Sequence, residues 1–277
     1  MLGVSLQYDS EEMLGRLDDL AAFSLSGRTC GIPLLHPWAN RLASDRYVVA
    51  GQQVSLEGAA LINRDDSGLP IHGVSWAHLA WRLVSENARQ LRAQLNWNQP
   101  DRLAVFPFPH MLDMKVSLEG ATLRVETELT PTGDHDVPLS FGFHPYFRLP
   151  GVPRAEWQLQ LPAMTHLLLD ARNVPADKEE PFEGYQGLLG EQTFDDGYRL
   201  SGPHAEFQLG GRGRRITVTL LEGYTHAQIY APAGKDFIAF EPMTAPTNAL
   251  VSGSHLRLLK PGVSFHASFQ VRVESLP

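Results

Sequence analysis

The sequence predicts an all-β protein, a large antiparallel β-sandwich, and three observations carry that expectation. Apolar and polar residues alternate with a period of two through several stretches, as in strands with one wet face. The 277 residues include 24 glycines and 20 prolines, enough to punctuate many strands with turns. No strand–helix–strand rhythm runs through the chain, which argues against a parallel sheet. All-β domains of this length can be single units with a large core, so residues 1–277 are read as one domain.

The elements follow in order. Met13, Leu14, Leu17, Leu20 and Ala21 have helical spacing, and Asp9-Ser10 could cap a helix, so residues 10–23 read equally as helix or strand. Leu91 to Trp97 reads as a strand. Leu112, Met114, Val116 and Leu118 alternate with Asp113, Lys115 and Ser117. After Glu119-Gly120 the pattern resumes through Leu123, Val125, Thr127 and Leu129, which makes a hairpin. Trp157 to Leu161 is a further strand, and the polar stretch from Asp170 to Glu191, with Pro175 and Pro181, is expected to be a long surface excursion. Ala205 to Gly210 and Arg215 to Leu221 flank Gly211-Arg212-Gly213 as a second hairpin. Ala227 to Tyr230, Phe237 to Phe240 and Phe265 to Val273 complete the strands.

Composition narrows the function. A net charge of −8 argues against a nucleic-acid backbone as partner. No stretch approaches the roughly eighteen apolar residues of a membrane span. The start, Met1 to Leu6, lacks the basic and apolar regions of a secretory signal, so a cytoplasmic location is expected. Cys30 is the only cysteine, which rules out an internal disulfide and a cysteine-cluster metal site.

Two motifs point to chemistry. His144 lies in Phe141-Gly142-Phe143-His144-Pro145-Tyr146-Phe147, and Glu241 lies in Phe240-Glu241-Pro242-Met243-Thr244. Each stands at the end of an apolar run, beside a proline expected to close the segment. A histidine and a carboxylate make a minimal acid–base pair. Asn40-Arg41 offers an amide and a planar guanidinium fork, and His72-Gly73 sets an imidazole where backbone can approach closely. Asp195-Asp196 precedes a turn glycine, and Trp76 and Trp81 could stack on a sugar face or serve the core.

In order and context these pieces resemble the aldose 1-epimerase (galactose mutarotase) family, from about Gly31 to Gly262. The resemblance is carried by Asn40-Arg41, His72-Gly73 with Trp76, Pro138 to Phe147 and Phe194-Asp195-Asp196-Gly197-Tyr198. Phe240 to Thr244, Thr247-Asn248-Ala249 and Lys260-Pro261-Gly262 complete it. The run Leu35 to Arg41 looks more like divergent bacterial members, some of which act on other hexoses or hexose 6-phosphates. The resemblance implies a sandwich of the galactose mutarotase type and a sugar substrate. It implies Glu241 as general base, His144 as general acid, and Arg41, His72 and an aspartate as hydroxyl ligands. The family's aspartate precedes an aromatic by three positions, which favours Asp195 over Asp196 because Tyr198 follows. No metal or cofactor is required. The chemistry asks for a cationic His144 and an ionised Glu241. Two other readings remain: a glycoside hydrolase using Glu241 and Asp195, which leaves the histidines idle, and a binding-only sandwich.

Overall fold

A computed structural model describes residues 1–16, 19–26 and 28–276. Two nine-stranded antiparallel sheets face each other. One runs Leu2–Gly3, Ile32–Leu35, Gly142–Phe143, Ile238–Met243, His226–Ala231, Phe194–Leu200, Met164–Leu169, Pro175–Phe182, with Tyr146–Phe147 also on Ile238–Met243. The other runs Tyr185–Leu188, Gln158–Leu161, Ala205–Gly211, Arg214–Glu222, Phe265–Ser275, Thr122–Pro131, His110–Glu119, Gln90–Trp97, Arg82–Asn87. Both predicted hairpins form, with Glu119 opposite Thr122 and Gly211 opposite Arg214.

Alternation sorts each strand into a core face and an outer face. Ala227, Ile229 and Ala231 face the core, as do Ile238 and Phe240. Phe240 stacks on Phe207 of the opposite sheet at 5.5 Å, and Phe143 meets Phe269 at 5.1 Å. The other face of the first sheet carries Gln228, Tyr230 and Glu241, with Gln228 directly opposite Glu241 and Tyr230 opposite Asp195. Loops cover this face, which is why Ile238–Met243 is buried on both sides.

Two sequence expectations need correction, and a third resolves into parts. Pro242 does not close its strand, which continues to Met243. The neighbouring chain is interrupted between Phe143 and Tyr146, which leaves room there for a residue lacking an N–H. The excursion from Asp170 to Glu191 is exposed, but it forms Pro175–Phe182 and Tyr185–Leu188, the edge strands of the two sheets. Its charges and prolines suit edges that must resist further pairing, so its polarity resembled that of a loop. The described residues of 10–23 divide between the two readings, with Glu11–Glu12 paired antiparallel to Gln7–Tyr8. Glu11–Glu12 is a short strand, Met13 and Leu14 are buried, and Leu14 bridges to Phe147. A helix begins only at Leu20, where Asp19 Oδ1 accepts from Ala22 N at 2.8 Å. Leu17 lies outside the described residues.

Candidate active site

Glu241 and His144 meet beneath the loops of the first sheet. His144 occupies the break between Gly142–Phe143 and Tyr146–Phe147, and its N–H donates to Pro33 O at 3.1 Å. Its Nε2 lies 3.0 Å from Glu241 Oε1 and 3.2 Å from Tyr146 Oη. The imidazole stacks on Tyr146 at 4.2 Å and meets the edges of His72 and Tyr230 at 5.6 and 5.7 Å. Glu241 Oε2 has no hydrogen-bond partner among the described residues, in a side chain only 2% exposed. An acceptor so placed is suited to a ligand hydroxyl.

Asn40 and Arg41, in the segment after Ile32–Leu35, cross the strand Pro70–Val74, which carries His72. Asn40 and His72 both adopt left-handed backbone, at φ 58° and 60°. Each supports the other: His72 N donates to Asn40 O at 2.9 Å, and Asn40 N donates to His72 Nδ1 at 3.2 Å. Because Nδ1 accepts, the neutral ring carries its proton on Nε2 as a donor. Gly73 permits the crossing, since a Cβ there would lie 2.3 Å from His36 O. Arg41 Nε is held by Asp65 at 2.7 Å and Nη1 donates to Asn40 Oδ1 at 3.2 Å, so the guanidinium is oriented before any ligand arrives. Asp195 Oδ1 accepts from Gln228 Nε2 at 2.8 Å, and Oδ2 accepts from Asn173 Nδ2 at 3.3 Å. Asp196, its neighbour, lies on the opposite face of the strand and meets His166 Nε2 at 3.1 Å.

Asn40, Arg41, His72, His144, Asp195 and Glu241 all line one cavity of about 160 Å³. Trp76 does not. It sits in the short turn Trp76–His78, with Nε1 donating to Arg28 O at 3.1 Å, and Tyr230 supplies the aromatic wall instead. Trp81 packs on the core. Arg16, Thr29 and Tyr146 also line the cavity, with Asp65 supporting Arg41 and Gln228 supporting Asp195, and none of these was singled out from the sequence as a site residue. A glutamine within the apolar run Ala227 to Tyr230 was a legible signal for Gln228. Asp65 lies in an Asp-Asp-Ser-Gly stretch that reads as an ordinary turn.

The electrostatics depart from the expected cationic His144 and ionised Glu241. Burial, then the charge of Asp195, pushes the Glu241 carboxyl well above the usual range, against the pull of Arg41. Burial, then His72 and Arg16, holds His144 well below the ordinary imidazole value. The two atoms are in hydrogen-bond contact, so they titrate as a pair. With two protons the pair is positive, with none it is negative, and burial disfavours both states. One shared proton is therefore the resting condition. His72 is lowered to about 3 by burial, then by Arg41 and Arg16, so it stays a neutral donor. Burial raises Asp195, against Arg41 and the Gln228 hydrogen bond. Among the described residues no group of three or more histidine, cysteine, aspartate or glutamate side chains is arranged to hold a metal ion. No described helix is long and apolar enough to cross a membrane.

A sequence profile described as aldose 1-epimerase matches residues 4–272. The chain belongs to the aldose 1-epimerase family. It is 27% identical over 258 residues to the uncharacterized protein YihR of Escherichia coli K12, covering 87% of this chain and 80% of that protein. The Slr1438 protein of Synechocystis is 26% identical, with a TM-score of 0.76 over 97% of this chain and 86% of its own. A galactose mutarotase-like protein from Clostridium acetobutylicum superposes with a TM-score of 0.80 at 17% identity, covering 95% of this chain and 86% of that one. These neighbours share the mutarotase-type antiparallel sandwich read from the strands.

Proposed function

We propose that the protein interconverts the α and β anomers of a hexose or hexose 6-phosphate. The observation that carries this reading is the buried His144–Glu241 contact, with one carboxylate oxygen left unpartnered in a cavity lined by hydroxyl-binding groups. The C1 hydroxyl would donate to Glu241, and His144 would donate to the ring oxygen. The C1–ring oxygen bond then breaks as the C1 carbonyl forms. Rotation about C1–C2 and reclosure from the other face, with both protons returned, give the opposite anomer. One proton is taken and one given, so the working form of the singly protonated pair is the one with its proton on His144 and Glu241 free to accept.

The remaining groups divide by polarity. His72 and Arg41 donate and Asp195 accepts, which together fix ring hydroxyls while Tyr230 borders one face. Positioned acid–base groups contribute about 10²–10⁴-fold. A binding-only site gains nothing from a buried carboxyl and imidazole that share a proton, because both cost desolvation. A hydrolase using Asp195 as second carboxyl leaves the His144–Glu241 contact unexplained.

The test is NMR exchange spectroscopy between anomers across a panel of hexoses and hexose 6-phosphates. Acceleration of at least one pair, lost in His144→Asn, is expected. Sugar binding without acceleration across the panel would overturn the proposal in favour of a binding protein.

A further inference from the structure

On the same outer face as the candidate active site, two residues further along its strands, four cationic or protonatable side chains converge. His226 precedes Gln228 by two positions, and Arg199 lies directly opposite His226. Arg257 and His255 arrive from the segment after the last short helix, Ala249–Ser252. They line a hollow of about 700 Å³ to which no carboxylate contributes. Glu179 reaches Arg199 Nη2 from outside that lining and approaches His255 Nε2 to 3.9 Å.

The hydrogen bonds leave this cluster unfinished. Thr225 Oγ1 donates to Thr244 O at 3.1 Å, so it accepts from His226 Nδ1 at 2.9 Å. In neutral His226 that leaves Nε2 as a bare lone pair, and it has no partner among the described residues in a side chain 1% exposed. The His255 ring lies 5.5 Å away, half-exposed at the rim. Arg257 spends Nη2 on Gly223 O and rests 4.6 Å over Phe265, and its Nε, like that of Arg199, is unpartnered. Burial, then His255, Arg199 and Arg257, lowers His226 to about 3. Setting the guanidinium groups of Arg199 and Arg257 beside a buried imidazole is costly, and Glu179 offsets that cost from outside the lining.

We propose that Arg199, His226, His255 and Arg257 form a binding site for a tetrahedral oxyanion, phosphate or a phosphate ester, which enters together with one solvent proton taken up on His226 Nε2. The anion turns the repulsive neighbours into a shared counter-charge. His226 then donates from both ring nitrogens, to Thr225 and to the anion. The guanidinium forks supply charge-assisted donors from either side.

The experiment is imidazole ¹⁵N NMR on the full chain at a pH of about 6, titrating inorganic phosphate against potassium chloride of equal ionic strength. His226 is expected to move from the neutral to the charged pattern with phosphate and to stay neutral with chloride. Arg199→Gln, at the exposed side, and Arg257→Gln should each weaken phosphate binding about tenfold or more, the loss of one charged hydrogen bond. Glu241→Gln should leave phosphate binding intact, which separates this site from the proposed anomer chemistry. A hexose phosphate that binds more tightly than phosphate, with the gain lost in Asp195→Asn, identifies a ligand spanning both sites. Equal affinities identify a free anion. A His226 that remains neutral through saturating phosphate, or that responds equally to chloride, overturns the proposal.

Discussion

Replacing Glu241 by glutamine separates catalysis from folding, because the two effects run in opposite directions. The native carboxyl is 2% exposed, makes one contact to His144 at 3.0 Å, and leaves Oε2 unpartnered. An unsatisfied buried polar atom costs about 1–3 kcal/mol, more if it is charged. Glutamine fills the same volume, cannot ionise, and keeps an oxygen or an amide toward His144 Nε2. Its folded state is therefore expected to be as stable as the wild type or more so, as for active-site groups that trade stability for activity. The same change removes the group proposed to take the C1 proton. Loss of a positioned base costs about 10²–10⁴-fold, or roughly 3–5 kcal/mol of barrier. Polarimetry on freshly dissolved single anomers, corrected for spontaneous mutarotation, reads the rate, and thermal melts of the same sample read stability. Near-native turnover refutes the base assignment. A lost rate accompanied by a large fall in Tm refutes the argument equally, since it makes Glu241 a structural residue.

Four further outcomes follow from the geometry. Asp65→Asn removes the 2.7 Å partner of Arg41 Nε and should raise KM about tenfold with a smaller change in kcat, since it loosens orientation; unchanged steady-state kinetics would detach Asp65 from the site. Gly73→Ala sets a Cβ 2.3 Å from His36 O at φ 63°, and chemical denaturation should show a loss of about 3 kcal/mol or more, whereas a neutral result contradicts the crossing of the two segments. His36, His72, His110, His144 and His226 all have folded values below the ordinary 6.5, so the unfolded chain binds more protons as pH falls from about 6.5 toward 4. Glu241 and Asp195 are raised and act oppositely, losing stability as pH rises above the carboxylate range, but five groups outweigh two. Denaturation midpoints should therefore decline from pH 6.5 to 4, and a flat profile would show that these imidazoles are not held neutral. The pH–rate curve should show a broad plateau with two limbs, since burial disfavours both the doubly protonated and the fully deprotonated pair; a narrow peak would contradict the shared proton.

Much of the fold was legible because a sandwich strand writes its two faces directly into sequence. Leu112 to Leu129 and Phe265 to Val273 alternate cleanly, and they form a two-stranded hairpin and a single strand. The motifs around His144 and Glu241 were legible because they interrupt such runs with a polar residue and a proline. The misreadings share a cause: they depended on what packs against the segment. Pro175–Phe182 looks like a loop because an edge strand has few apolar demands to meet. Met13 and Leu14 are adjacent and both buried, a pattern that spacing alone assigns to a helix. Trp76 could stack on a sugar face by residue type, but its indole is tied to Arg28 O, and Tyr230, on the strand His226–Ala231, lines the cavity instead. The directions in which burial pushes His144 and Glu241 were not legible because charge follows solvent access, and access belongs to the assembled fold.

The reciprocal hydrogen bonds of Asn40 and His72 bear on how this site can change over generations. Each residue holds the other in backbone that side chains rarely adopt, and Gly73 is the space through which they cross. Neither position can drift by itself, for a replacement at one removes the scaffold of the other. Variation should therefore be strongly epistatic, with pairs of changes tolerated where single ones fail. Asp195 and Gln228 lie on plain neighbouring strands and carry no such constraint. New sugar preferences would then arise first along that wall, while the Asn40–His72 crossing persists as a heritable unit.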